Sequence, residues 1–300
     1  MLNPPLSLLS DDLLMYIVDH VANFKPKRSF LNYDLYNLSI TDRAFTRFCQ
    51  AYIFKDLRLG YYTYDVTNDI ISKKLAKIRN ILNDKPSFAN HVRTVHISAT
   101  SRQNRWLFID PDFITIFELL AKSPMPPHKL YLTGDLYLLT IEDPILVVGW
   151  LMQSFFSQTL TVLYLRDCTE VPLTLFFVCP YLREVYLEGV EVFESGDDEY
   201  PDEQCCGKES PALELLSYCN SESLVKQMIS PPPKFSMAVV VWSKLRVLKL
   251  CPRTQEEMAY LQTILDVTCN SLEELYLTTL GASTMLGARL DSKTWLFLSI

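Results

Sequence analysis

The chain has 300 residues, 49% of them hydrophobic, enough to bury a sizeable core in one large domain or two ordinary ones. Its net charge is −7 and its only basic cluster is the short "KPKRS" at residues 25–29, so nucleic acid is not an expected partner. Eight cysteines include no C-x-x-C pair and four histidines fall at no zinc-finger spacing, so neither a metal site nor a cofactor is expected.

The N-terminus lacks a basic region followed by an apolar run and a small-residue cleavage site. An intracellular protein is therefore expected, cytoplasmic or nuclear, with reduced thiols. The first sixty residues read as helices. Apolar positions 9, 13, 14, 17, 18 and 21 follow the helical period after Ser10, an N-cap candidate, with Asp11 and Asp12 in the first turn where they favour the helix dipole. A connection at 22–34 leads to a second helical stretch, "DLYNLSITDRAFTRFCQAYIF", in which Leu35, Leu38, Phe45, Phe48 and Tyr52 share one side. Residues 67–83 predict a third helix.

From residue 88 the pattern changes to short aliphatic strands. The most apolar stretch, 145–165, carries two Gln, two Ser and two Thr and has no basic flank, so it predicts a buried helix followed by a strand rather than a membrane span. Four segments fit L-x-x-[LV]-x-L: "LTVLYL" at 160, "LREVYL" at 182, "LRVLKL" at 245 and "LEELYL" at 272. Three of the four have Tyr in the fifth place, and Cys168 follows the first copy where repeats of this kind carry Asn or Cys. Looser copies are "VRTVHI" at 92, "HKLYL" ending at 132 and "WLFLSI" at 295, which stops at Ile300 with no polar capping segment, as expected of a longer protein. The intervals of 22 and 27 residues lie in the leucine-rich-repeat range, and the interval of 63 has room for further irregular repeats plus an insertion. Residues 191–210 hold eight acidic residues and one Lys, the signature of a solvated inserted loop, and "PPPK" at 231–234 marks another loop.

Strand alternation turns the fourth and sixth places of each copy inward and their neighbours outward. Tyr164, Tyr186, Lys249 and Tyr276 would then line the concave face of a curved parallel sheet, joined by Tyr131, with Arg166, Glu184, Glu188 and Glu274 adding charge. Tyr is favoured at interfaces because it joins a large apolar ring to a polar tip, which makes this row the expected site for a protein substrate.

These residues carry a resemblance. "LSDDLLMYIVDHV" resembles the opening of an F-box, with Leu9, Asp12, Leu13, Leu14 and Ile17 in matching places and Ser10 where Pro is usual. "DLYNLSITDRAFTRFCQAYIFKDLRL" is similar to the second half of that motif, with Phe45 in the place of its Trp and Ile53 with Phe54 as its later apolar pair. With the repeats, the chain resembles the F-box proteins with leucine-rich repeats found in fungi. The resemblance implies an α/β architecture in three parts. Residues 1–60 would form a helical F-box and 61–87 a linker helix. Residues 88–300 would form an irregular leucine-rich-repeat solenoid with a curved parallel sheet and the acidic insertion 191–210. It further implies a substrate adaptor of an SCF-type cullin-RING ubiquitin ligase. Leu9, Ser10, Asp12, Leu13, Leu14, Ile17, Phe45, Ile53 and Phe54 would bind the Skp-type subunit and, through it, the cullin, while the repeats hold a protein substrate.

Catalytic patterns are missing from the sequence. It has no G-x-x-x-x-G-K-[ST], G-x-G-x-x-G, H-E-x-x-H or G-x-S-x-G. Asp110 and Asp112 in "IDPDF" read as a turn and helix N-cap rather than an acid-base pair, and Cys205–Cys206 sit among acids that make a thiol less reactive. An enzyme is not expected, nor a membrane partner. The competing reading is a leucine-rich-repeat scaffold outside any ligase, its N-terminal helices capping the array.

Overall fold

The computed structural model describes residues 9–23, 33–60, 68–98, 106–137, 146–192, 209–233, 237–250, 255–278 and 295–299. The first helix, Asp11–Asn23 (α1), starts where expected, with the Leu13 N–H donating to Ser10 Oγ at 3.4 Å. The second helical stretch is broken into two helices, Tyr33–Thr41 (α2) and Arg43–Ile53 (α3). Asp42 breaks it. Its backbone is extended and its side chain accepts from the Ala44 N–H at 2.8 Å, so an aspartate that would weaken a helix interior caps a new helix instead. Leu14, Val18, Leu35, Phe45 and Cys49 form a small core among these three helices, apart from the main one.

Residues 56–60, grouped in the sequence with the helices, are a strand, Asp56–Gly60 (β1). There follow Asn68–Asp84 (α4), Thr94–Ser98 (β2), Trp106–Ile109 (α5), Pro111–Ala121 (α6), Lys129–Tyr137 (β3), Val162–Thr169 (β4) and Thr174–Val178 (α7). The chain continues through Glu184–Glu188 (β5), Leu215–Cys219 (β6), Glu222–Ile229 (α8), Val247–Leu250 (β7), Gln255–Thr268 (α9), Glu274–Thr278 (β8) and Trp295–Ser299 (β9). The apolar stretch at 145–165 is a π-helical segment, Leu146–Phe156, leading into β4. No helix among the described residues is long and apolar enough to cross a membrane.

The nine strands form one sheet in chain order, and β1 to β8 are each parallel to the next. The protein is thus α/β. Parallel neighbours require a crossover, and residues from α4, α6, α8 and α9 share one core with the inward row of the strands. In that row Leu59, Ile97, Leu132, Leu165, Leu187 and Leu250 are buried. One expected interval holds a further strand, and one looser copy departs from expectation. The 63-residue interval contains β6, in which Leu216 and Tyr218, with Leu213 just before the strand, fill the three inward slots, Tyr218 in the sixth having broken the aliphatic signature. "WLFLSI" does not extend the parallel series: β9 is antiparallel to β8, with Trp295 beside Thr278, because the chain re-enters at the end where β8 left off. Of the acidic insertion, residues 193–208 lie outside the described residues.

Strands β4 to β6 share a device one residue past a common register line. Asp167, Gly189 and Asn220 follow the register-matched Arg166, Glu188 and Cys219 and all have positive φ, between 51° and 63°. Only residue types tolerant of left-handed backbone stand there. The Cys168 thiol that follows the first is buried and donates to the Leu132 and Arg166 carbonyls, and burial pushes its pKa up to about 12.

Candidate functional site

The face of the sheet away from the main core carries a row of side chains fixed by the parallel register. Arg58, His96, Tyr131, Tyr164, Tyr186, Ser217, Lys249 and Tyr276 are successive partners across β1 to β8. Strands lie about 4.8 Å apart, which is stacking distance for flat rings. The His96 and Tyr131 centroids are 4.4 Å apart, Tyr131 and Tyr164 5.2 Å, and Tyr164 and Tyr186 6.1 Å. Across the interruption at Ser217, Lys249 Nζ lies 4.8 Å from the Tyr276 ring centre.

Carboxylates flank the row and hold its rings. Tyr164 Oη donates to Glu188 Oε2 at 2.7 Å, Tyr186 Oη to Glu184 Oε2 at 3.0 Å, and Tyr276 Oη to the Glu274 carboxylate. Burial, reinforced by the neighbouring carboxylate, pushes Tyr186 up to about 12 and Tyr164 further still. Burial lowers the pKa of His96, with Asp56 opposing and Arg58 adding to that shift. Arg166 reaches Glu188 at 3.7 Å and Asp167 at 3.4 Å, exposed pairs that orient more than they stabilise. All nine residues predicted for substrate contact lie on this face: Tyr131, Tyr164, Tyr186, Lys249 and Tyr276 in the central row, Arg166 and Glu188 on one side, Glu184 and Glu274 on the other. Arg58 and His96 extend the row beyond the predicted residues: "VRTVHI" holds His96 in its fifth place, whereas Arg58 falls in a run that reads as helical.

At the strand-entry edge each rim carbonyl accepts two N–H groups from the next strand, as Arg183 O does from Glu214 N at 2.7 Å and Leu215 N at 3.0 Å. A shallow groove of about 400 Å³ opens there, lined by Tyr181, Arg183, Glu214, Lys244 and Arg246 among others. Its charges are largely paired, Arg183 with Glu214 and Arg246 with Glu273.

The helical unit offers a second surface. Of the residues predicted for adaptor contact, Leu14 and Phe45 are each 3% exposed and close the helices' own core, so they are not surface contacts. Leu9, Ile17 and Ile53 pack against that core, and Phe54 stacks on Phe88 with centroids 4.2 Å apart, coupling the helices to the sheet. Ser10, Asp12 and Leu13 are exposed. What the helices leave in solvent is Leu13 with Met15 and Tyr16 on α1, and Tyr33, Tyr36 and Ile40 on α2. The heptad-like stripe could not separate Leu13 from Leu14, since both are apolar and only the packing partners decide which turns inward. Asp110 is the N-cap of α6, accepting from Asp112 N at 2.8 Å and Phe113 N at 3.2 Å, while Asp112 pairs with Arg79 of α4. Among the described residues no three His, Cys, Asp or Glu side chains cluster as metal ligands.

No protein-family model matches the chain, and no curated protein matches it.

Proposed function

We propose that the chain is an F-box-type substrate adaptor: its N-terminal helices bind a Skp-type subunit of a cullin-RING ubiquitin ligase, and the outer face of its repeat-built sheet holds the protein to be modified. The observation that carries the reading is the coexistence of two unlike surfaces. One is a helical unit with its own small core that still leaves Leu13, Met15, Tyr16, Tyr33, Tyr36 and Ile40 largely in water. The other is a row of ring stacks and carboxylates across the sheet. Several large apolar side chains left exposed on a small helical unit suit a protein partner, and stacked tyrosines braced by acids suit a polypeptide. The "LSDDLLMYIVDHV" pattern supports the choice of a Skp-type partner over other helices.

Such an adaptor works by proximity. Holding a substrate beside a charged ubiquitin-conjugating enzyme makes transfer nearly intramolecular, with no catalytic group of its own. The test is affinity purification of the full chain followed by mass spectrometry, then reconstitution with a purified Skp-type subunit. Co-elution of that subunit and a cullin is expected; their absence, with other proteins still captured, would favour a repeat scaffold outside any ligase.

A further inference from the structure

The aromatic row is incomplete at one place. On the fifth-place row Tyr186 is followed by Ser217 on β6 and then by Lys249 on β7, so one rung between two long side chains is a hydroxymethyl group. Tyr186 meets the Tyr164 ring at a tilt on one side, and on the other its neighbour in register is Ser217. Two strand spacings separate the Tyr186 and Lys249 rows, about 9.6 Å, which leaves room for one flat group about 4.8 Å from each wall. The existing rungs bracket that spacing, 4.4 Å from His96 to Tyr131, 5.2 Å from Tyr131 to Tyr164 and a tilted 6.1 Å from Tyr164 to Tyr186. Lys249 does not fill the space, because its ammonium turns the other way onto Tyr276.

The walls are unequal in charge. On β5 the slot is bordered by Glu184 and Glu188, which sit two residues before and after Tyr186 on the same face. Glu188 is turned to β4, where it meets Tyr164 Oη and Arg166, whereas Glu184 accepts the Tyr186 hydroxyl on one oxygen and keeps acceptor capacity on its carboxylate. A flat cation that stacks on a tyrosine face and offers several N–H groups to carboxylates is a guanidinium. An ammonium has no face to stack, a neutral aromatic ring brings no charge, and an imidazolium offers only two N–H groups where a guanidinium offers five.

We propose that the slot over Ser217 takes an arginine side chain of the bound protein, which stacks on Tyr186 as the missing rung and pairs with Glu184. The inference rests on the outer face being the substrate surface. It adds a chemical requirement: the recognised segment carries an arginine, and lysine does not replace it.

The full chain is titrated with the capped tripeptide acetyl-Gly-Arg-Gly-amide and with its lysine and citrulline counterparts, following the Tyr186 and Ser217 signals by NMR. Citrulline keeps the planar shape without the charge. Saturable binding of the arginine peptide at millimolar concentration is expected, at least tenfold weaker for citrulline and for lysine. Ser217→Tyr, which supplies the rung from within the chain, abolishes binding, whereas Ser217→Ala leaves it within twofold. If Ser217→Tyr does not fold, Glu184→Gln decides, with an expected loss of about tenfold at an unchanged melting temperature. No saturable shift, equal binding of the three peptides, or wild-type affinity in Ser217→Tyr or Glu184→Gln overturns the slot. The two readings fail separately. Undiminished substrate capture by Tyr131→Ala with Tyr164→Ala refutes the outer face while a selective peptide response would keep the slot. Loss of capture in that variant with no peptide selectivity refutes the slot alone.

Discussion

Gly60 ends the first strand with φ +83°, and a Cβ there would lie 1.9 Å from the Ser98 carbonyl oxygen of the neighbouring strand. Both the left-handed backbone and the space exclude any side chain, so Gly60→Ala should destabilise the protein by about 2 kcal/mol or more. Chemical denaturation would measure it, and a loss below about 0.5 kcal/mol would mean that β1 can shift away from β2 at little cost. His96 gives a pH signature. Burial lowers its folded-state pKa, as it does for His91 and His128, so on acidification the unfolded chain takes up protons first. The contribution of each is present above its ordinary value of about 6.5 and is lost as pH falls through the lowered folded value. The melting temperature should therefore drop between pH 7 and 5, and His96→Phe, which keeps the ring on Tyr131, should flatten that drop. An unchanged profile would assign the acid sensitivity to other groups.

Among the elements, the helical unit separates residues that fold it from residues that serve it. Leu14 is buried and Leu13 is 52% exposed, although they are adjacent and chemically identical. Leu14→Ala opens a cavity and should cost about 2–4 kcal/mol of stability. Leu13→Ala with Tyr16→Ala should leave the melting temperature within about 2 °C while weakening a Skp-type subunit at least ~30-fold, since interface anchors commonly carry about 2 kcal/mol or more each. Calorimetric titration of the two variants checks both halves, and equal binding by a folded Leu13/Tyr16 variant would remove α1 from the contact. Legibility follows the same logic. Strands β4, β5, β7 and β8 were readable because each keeps aliphatic residues in its inward slots, whereas Tyr218 hid β6 and the run into "DLRL" hid β1 behind a helical stretch. Alternation alone turned Tyr164 and Tyr186 outward. That Ser217 interrupts the row between Tyr186 and Lys249 is a fact of register between positions 31 and 32 residues apart, which no local pattern carries.

For the molecule as a whole, the question is whether the row of rings serves stability or recognition, and energetics gives a way to separate them. Replacing Tyr164 and Tyr186 by Ala removes the Tyr131–Tyr164 and Tyr164–Tyr186 contacts and two hydroxyl-to-carboxylate bonds. Cross-strand pairs are worth about 0.2–1 kcal/mol each, and the rings lie over strands whose opposite face is fully buried, so the sheet should lose only about 1–2 kcal/mol. If the same rings anchor a partner, the lost binding should be about 2 kcal/mol per ring, a thousandfold for the pair where the two act independently. Capture of substrate should thus collapse while a Skp-type subunit, if the helices with their separate core bind it as proposed, stays at wild-type affinity. Retained capture together with a melting temperature lowered by many degrees would reverse the assignment, making the row a brace for the sheet and moving recognition to the strand-entry groove at Arg183, Lys244 and Arg246.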